Sequence, residues 1–135
     1  MSQYKFVLYA DDDVDDKDWV TDACRAVDHS LQMVFVDNGR QVIDYLLQLP
    51  SLQLPALIVL DLNMPEMDGR QTLQKLKSTP QYQNIPVAIV STSANNIDRE
   101  VCQRLGASIY LTKPDTRQAR QHIEHQLLPF VFSEK

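Results

Sequence analysis

Cysteine is scarce in this sequence, at two in 135 residues, which argues against a disulfide framework or a four-ligand zinc site as the source of stability. Cys24 and Cys102 fall within helical patterns, where they fit buried thiols of a reducing compartment. No apolar run approaches the ~20 residues needed to cross a bilayer. The opening MSQYKFVLYADDD lacks the basic start, apolar stretch and small-residue cleavage site of a signal peptide. A cytoplasmic location is therefore expected, with no membrane partner. Positive charge is also in deficit: 13 Lys and Arg against 18 Asp and Glu leave a net charge of −5. A surface of that sign has no general attraction for nucleic acid or acidic lipid, and direct nucleic-acid binding is not expected. Internal repeats and low-complexity stretches are absent. What is there, 44% hydrophobic and 23% charged residues, suffices for one domain that buries about two-thirds of its unfolded surface without staples.

Five short apolar runs recur along the chain: residues 5–10 (KFVLYA), 33–36 (MVFV), 56–60 (ALIVL), 87–91 (VAIVS) and 108–112 (SIYLT). They are rich in Val, Ile, Leu and Tyr and mostly do not alternate, the pattern of parallel strands covered on both faces. Helical stripes separate them. The first is Val20, Ala23, Cys24 and Val27, the second Val42, Ile43, Leu46 and Leu47, and the third Leu73 and Leu76. Val101, Cys102 and Leu105 make the fourth, and Ala119, Ile123 and Leu127 the fifth. A βα unit repeated five times with right-handed crossovers gives an open, doubly wound parallel sheet of the α/β class. Residues 1–128 are expected to form this domain and 129–135 a C-terminal tail, with Pro129 ending the fifth helix. The Pro-containing stretches 49–55 and 78–86 lead into strands and read as connectors.

In such sheets ligands bind beyond the carboxyl ends of the strands, near the point where strand order reverses. Those ends carry Asp11, Asp12 and Asp13 after the first strand, Asp61 and Asn63 after the third, Ser91, Thr92 and Ser93 after the fourth, and Lys113 and Pro114 after the fifth. Six of the 18 acids lie between positions 11 and 18. Asp15, Asp16 and Asp18 are explained by the first turn of a helix, where negative charge suits the dipole. Asp11 and Asp12, abutting a buried strand, are not. Carboxylates ~4 Å apart repel by roughly 4 kcal/mol at an effective dielectric of 20, unless a cation offsets them. Oxygen ligands with open positions suit Mg2+, which binds through one or two carboxylates plus a phosphoryl group. Metal-assisted phosphoryl chemistry is the expectation. Taken singly, the other pieces have plainer readings: Asp61 as a turn or cap residue, Ser93 as a helix cap, Lys113 as an exposed strand-end lysine, Tyr110 as an ordinary strand aromatic. An EF-hand starting at Asp11 is rejected, because Asp16 stands where that loop requires glycine.

Together these residues resemble the receiver domain of bacterial two-component response regulators, over about residues 5–128. The acid pair is Asp11-Asp12, the phosphoacceptor region is LIVLDLNMPEMDG at 57–69, the hydroxyl lies in IVSTSA at 89–94, and the fold ends on GASIYLTKP at 106–114. Four motifs in order on the correct strands are specific where any one is weak. Serine at position 91 departs from the commoner threonine, and Asp13 adds a third acid. The resemblance implies the flavodoxin-like receiver fold, strand order 2-1-3-4-5. The Pro-containing loops and the lack of an output domain resemble the single-domain regulators of phytochrome-type and hybrid histidine kinases. A sensor histidine kinase of that kind is the implied partner.

The resemblance also implies roles. Asp61 would take a phosphoryl group from a phosphohistidine. Asp12, Asp61 and the Asn63 backbone carbonyl would hold Mg2+, with Asp11 acting mainly through metal-bound water. Lys113 would pair with one phosphoryl oxygen and Ser91 with another, and an inward shift of Ser91 would let Tyr110 turn inward. That switch would alter the surface made by the fourth helix, fifth strand and fifth helix. Asn63 and Ser93 would flank the path of the hydrolytic water and tune dephosphorylation. Pro65 and Gly69 would shape the loop leaving Asp61, and Pro114 would follow a cis bond. Such a chain is a phosphoacceptor signalling protein, not an enzyme with a separate substrate, although it can catalyse its own phosphoryl transfer and dephosphorylation. A homodimer through that same surface or through the tail is a further expectation; the tail cluster Phe130-Val131-Phe132 folding back on the sheet is its alternative.

Three other readings compete. A haloacid-dehalogenase-type phosphatase would want a general-acid Asp two residues after Asp61, where Asn63 stands. A flavodoxin-like cofactor binder would offer backbone donors to a phosphate in its first loop, where the aspartates would repel one. A receiver-like interaction module regulated without phosphorylation uses the same fold, and labelling of Asp61 separates it from the phosphoacceptor.

Overall fold

The computed structural model describes residues 6–11, 32–50, 52–113 and 124–131. Five short β-branched and leucine-rich runs form strands: β1 (Phe6–Ala10), β2 (Gln32–Val36), β3 (Leu57–Asp61), β4 (Val87–Ser91) and β5 (Ile109–Thr112). They pair in parallel in one sheet of order β2-β1-β3-β4-β5, as expected. The strands differ from the apolar runs by a residue at most: β3 extends to Asp61, which pairs with Val90 of β4. Order reverses between β1 and β3, so the crevice for a ligand opens above those two strands.

Four helices are described: α1 (Gly39–Leu47), α2 (Gly69–Lys77), α3 (Asn96–Arg104) and α4 (Glu124–Val131). They correspond to the second to fifth expected helices; the first, with Cys24, lies outside the described residues. Each of the first three starts on a side-chain acceptor. Asn38 takes the Gln41 N–H at 3.0 Å, and Asn95 the Ile97 N–H at 2.7 Å. Asp68 takes the Gln71 N–H at 2.9 Å while the Gln71 side chain accepts the Asp68 N–H at 3.0 Å, a reciprocal capping box. Each such cap is worth about 1 kcal/mol. Among the described residues no helix is long and apolar enough to cross a membrane.

Alternate strand residues serve two cores. Leu8, Ala10, Ile58, Leu60, Val87 and Ile89 pack with Val42 and Leu46 of α1, Leu73 and Leu76 of α2 and Cys102 of α3. Val7, Tyr9, Leu57, Val59, Ala88, Val90 and Leu111 pack with Leu127 of α4 on the opposite face. Full burial of one such aliphatic side chain contributes about 2 kcal/mol. Cys102 is buried as expected, and desolvation pushes its thiol above its ordinary value, which keeps it protonated. Leu47, assigned to the α1 stripe from its spacing, is instead 66% exposed, because it stands about 100° round the helix from the buried Leu46.

The reading of Pro129 as the end of the fifth helix is corrected. α4 runs through Pro129 to Val131. Proline has no N–H for the carbonyl four residues back, yet the loss is confined to the final turn, and Leu127 and Phe130 hold that turn on the sheet. Phe130 thus folds back on the core; Phe132 lies outside the described residues. Phe130→Ala should lower stability by about 1–2 kcal/mol, several degrees in Tm, since the ring is half-buried. Thermal melts followed by circular dichroism check this, and an unchanged Tm would remove Phe130 from the core.

Candidate functional site

The sheet order sets the carboxyl ends of β1, β3, β4 and β5 side by side. Asp11 follows β1 directly, with its N–H donating to the Val36 carbonyl at 3.0 Å and its side chain wholly buried. Asp61 closes β3 and Ser91 closes β4, both buried. Lys113 lies just past β5, its N–H donating to the Ser91 carbonyl at 2.6 Å. Neighbouring strands are about 4.8 Å apart, so the lysine must reach over the end of β4 to meet β3. It does: Nζ donates to Asp11 Oδ2 at 2.9 Å and to Asp61 Oδ2 at 3.1 Å. The reading of Lys113 as a solvated strand end is excluded by its 7% exposure.

Asp61 presents its second oxygen to the loop that follows, where Oδ1 accepts the Asn63 N–H at 3.1 Å. Gly69 closes this loop, donating its N–H to the Leu62 carbonyl at 2.9 Å. A Cβ at position 69 would lie 2.6 Å from the Asp61 carbonyl oxygen, so the close approach requires glycine. Between them Glu66 has φ 64, a left-handed conformation that costs a non-glycine residue about 1 kcal/mol or more. Its carboxylate accepts from Asn38 Nδ2 at 3.1 Å, bracing the loop from the start of α1.

On the other side, Ser91 Oγ accepts the Ser93 N–H at 3.1 Å, which leaves the Ser91 hydroxyl hydrogen to donate elsewhere. Ser93 is not the helix cap; Asn95 has that place, and the Ser93 hydroxyl instead accepts the Asn95 N–H and donates to Asp98. Tyr110 is 3% exposed, and its hydroxyl donates to the Ser93 carbonyl at 2.9 Å. Its inward position is thus the one this structure contains.

The structure brings together Asp11, Asp61, Ser91 and Lys113 and sets Asn63, Ser93 and Tyr110 around them. Asp12, Asp13 and Pro114 lie outside the described residues, and with them the cis bond expected before Pro114. Among the described residues no three metal-ligating side chains converge; two carboxylates do. Sequence reading missed the ion pair of Arg70 with Asp98, 2.9 Å, the Arg99 guanidinium 5.0 Å from the Tyr110 ring centre, and the Asn38–Glu66 brace. Those partners stand 28 residues apart in two of the three cases, beyond any local pattern.

Removing the ammonium would take the shared positive charge from the buried carboxylates of Asp11 and Asp61. Lys113→Met should therefore lose about 3 kcal/mol in urea titrations run with chelator. Adding Asp11→Asn should recover part of the loss, because one of two adjacent like charges is gone; a loss that grows instead would contradict the electrostatic account.

Residues 7–124 match the response regulator receiver domain. Response regulator Rcp1 of Synechocystis sp. is 32% identical over 114 residues, covering 81% of this chain and 76% of that protein. An uncharacterized 14.6 kDa protein of Leptolyngbya boryana is 30% identical over 108 residues, covering 80% and 78%. Among solved structures, the phosphorylated cyanobacterial phytochrome response regulator RcpA has a TM-score of 0.87 at 30% identity, covering 97% of this chain and 96% of that one. The Mn2+-bound form of Rcp1 has a TM-score of 0.85 at 26% identity, with 97% of each chain covered.

Proposed function

This chain belongs to the response regulator receiver domain family, and from that premise we propose that Asp61 is its phosphoacceptor, charged by the phosphohistidine of a sensor kinase. The observation that carries this reading is the single buried ammonium of Lys113 shared between Asp11 and Asp61 at adjacent strand ends. An Asp61 carboxylate oxygen attacks phosphorus, the O–P bond forms as the P–N bond breaks, and the electron pair stays on the imidazole nitrogen. The product is an acyl phosphate.

Dianionic phosphoryl groups are repelled by carboxylates, and this chain meets that repulsion with fixed donors. Lys113 has its charge in place and exchanges part of its pairing with Asp61 for a phosphoryl oxygen. Ser91 donates its free hydroxyl hydrogen to another. The donor set also fits a divalent cation: Asp12, Asp61 and the Asn63 carbonyl would hold it, with Asp11 acting through bound water. Mg2+ in that place supplies charge neutralisation for carboxylates and phosphoryl oxygens alike, and the Mn2+-bound relative supports such a site. Asn63 and Ser93 border the approach of a hydrolytic water and tune the lifetime of the adduct. The α3–β5–α4 face carries the signal outward, with Tyr110 at its inner side. The likeness to the phytochrome response regulator RcpA supports a kinase of phytochrome type.

A small phosphoryl donor with Mg2+ should label the native chain once, giving an adduct stable in acid and lost in base. Asp61→Asn should abolish labelling, because an amide is not a competent nucleophile. Labelling that survives the substitution would move the acceptor elsewhere, and a native chain that never labels would favour a phosphorylation-independent interaction module.

The cation is tested separately by melting. Mg2+ at ten times its Kd should add RT ln 11, about 1.4 kcal/mol, a few degrees in Tm, at ionic strength matched to the chelator control. Asp12→Asn should raise the metal-free Tm by relieving like-charge repulsion and lose most of the Mg2+ increment. Equal responses of native and substituted chains would remove Asp12 from the metal site.

A further inference from the structure

Ser93 is tied on every side. Its N–H donates to Ser91 Oγ at 3.1 Å, its Oγ accepts the Asn95 N–H at 3.2 Å and donates to Asp98 Oδ2 at 2.8 Å, and its carbonyl accepts the Tyr110 hydroxyl at 2.9 Å. The other Asp98 oxygen, Oδ1, accepts from Arg70 Nη1 at 2.9 Å. Arg70 is the second residue of α2 and follows Gly69, which packs against the main chain of Asp61. A continuous path of bonded groups therefore leads from the loop after Asp61 through Arg70, Asp98 and Ser93 to Tyr110. Arg99, next to Asp98, encloses Tyr110 from outside: its Nη1 donates to the Tyr110 carbonyl at 3.3 Å with the guanidinium over the ring.

We propose that Asp98, held in place by Arg70, is a positioning residue that acts through Ser93 to keep Tyr110 buried, and so sets how strongly the state of Asp61 is passed to the α3–β5 face. A hydroxyl bonded to a carboxylate is held more strongly than one bonded to a neutral acceptor, and among the described residues the Ser93 carbonyl is the acceptor that tethers the Tyr110 hydroxyl. Loss of the Asp98 bond loosens the loop that supplies that acceptor. The transmission step rests on the phosphoacceptor reading of Asp61, whereas the seating of Tyr110 does not.

The experiment uses the full chain with 3-fluorotyrosine at its tyrosines, the Tyr110 line being identified by its absence in Tyr110→Phe. Fluorine NMR then reads the seating directly, a signature that general loss of stability does not move while the chain stays folded. Asp98→Ala should shift the Tyr110 line toward that of the unfolded chain, with about a tenfold fall in the buried-to-exposed ratio, as expected for one hydrogen bond to a charged group. Ser93→Ala should give the same shift, and the double variant no more than either, because both break one path. Asp98→Asn keeps an acceptor for Ser93 and should stay nearer the native line. If Asp98→Ala and Ser93→Ala leave the line unmoved, or if their shifts add, the proposal is overturned; should Asp98→Ala fail to fold, Ser93→Ala and Asp98→Asn decide it. Addition of a small phosphoryl donor with Mg2+ tests transmission. The native line should move little, and the Asp98→Ala line should return toward the buried position; an Asp98→Ala line unmoved in chain that has labelled refutes the coupling. Failure of the native chain to label refutes the reading of Asp61 instead and leaves the seating result standing.

Discussion

Everything at the carboxyl end of this sheet depends on two like charges placed side by side. The order β2-β1-β3-β4-β5 makes β1 and β3 neighbours across the reversal, so Asp11 and Asp61 meet there whatever their chemistry. Buried carboxylates this close need a counter-charge. Lys113 supplies it from two strands away, and only a side chain with a long apolar stem can lie over β4 and still deliver its charge to β3 and β1. One ammonium set against two carboxylates offsets part of their mutual repulsion.

The carboxylate that ends β3 is held by its loop as well as by its charge partner. Asp61 ends a strand that is buried along its whole length, and the chain then turns sharply enough for Gly69 to return against it. The turn places Glu66 in a left-handed conformation, a local cost of about 1 kcal/mol or more. The Asn38 side chain and the Gly39 N–H, which donates to the Met67 carbonyl at 3.1 Å, offset it from the start of α1. The site is therefore braced by an element that contributes no chemistry to it.

How legible all this was in the sequence depends on the range of the interaction. Strands and helices announced themselves because their burial is periodic or continuous over a few residues, and the strand-end residues followed from the topology. Asp11, Asp61, Ser91 and Lys113 were found because an unusual polar residue directly after a buried run is a local signal. The capping box Asp68-x-x-Gln71 was visible by the same logic, although it was not read. Arg70, Asp98 and Asn38 were not legible: each is an ordinary polar residue near a helix start, and its significance comes from a partner on another element. Pro129 misled in the opposite direction. Proline is a strong local stop signal, but packing of Leu127 and Phe130 on the sheet outweighed it in the last turn of α4.

The two polar clusters differ in a way that suits different tasks. Around Lys113 the partner side chains are at most 12% exposed, so an ion pair there is little screened by water and costly to separate. Arg70 and Asp98 have side chains 40% and 23% exposed, where an ion pair contributes about 0–1 kcal/mol because water competes for both groups. A switch requires two arrangements within a few kcal/mol of each other, a condition that the half-exposed pair suits better than the buried one.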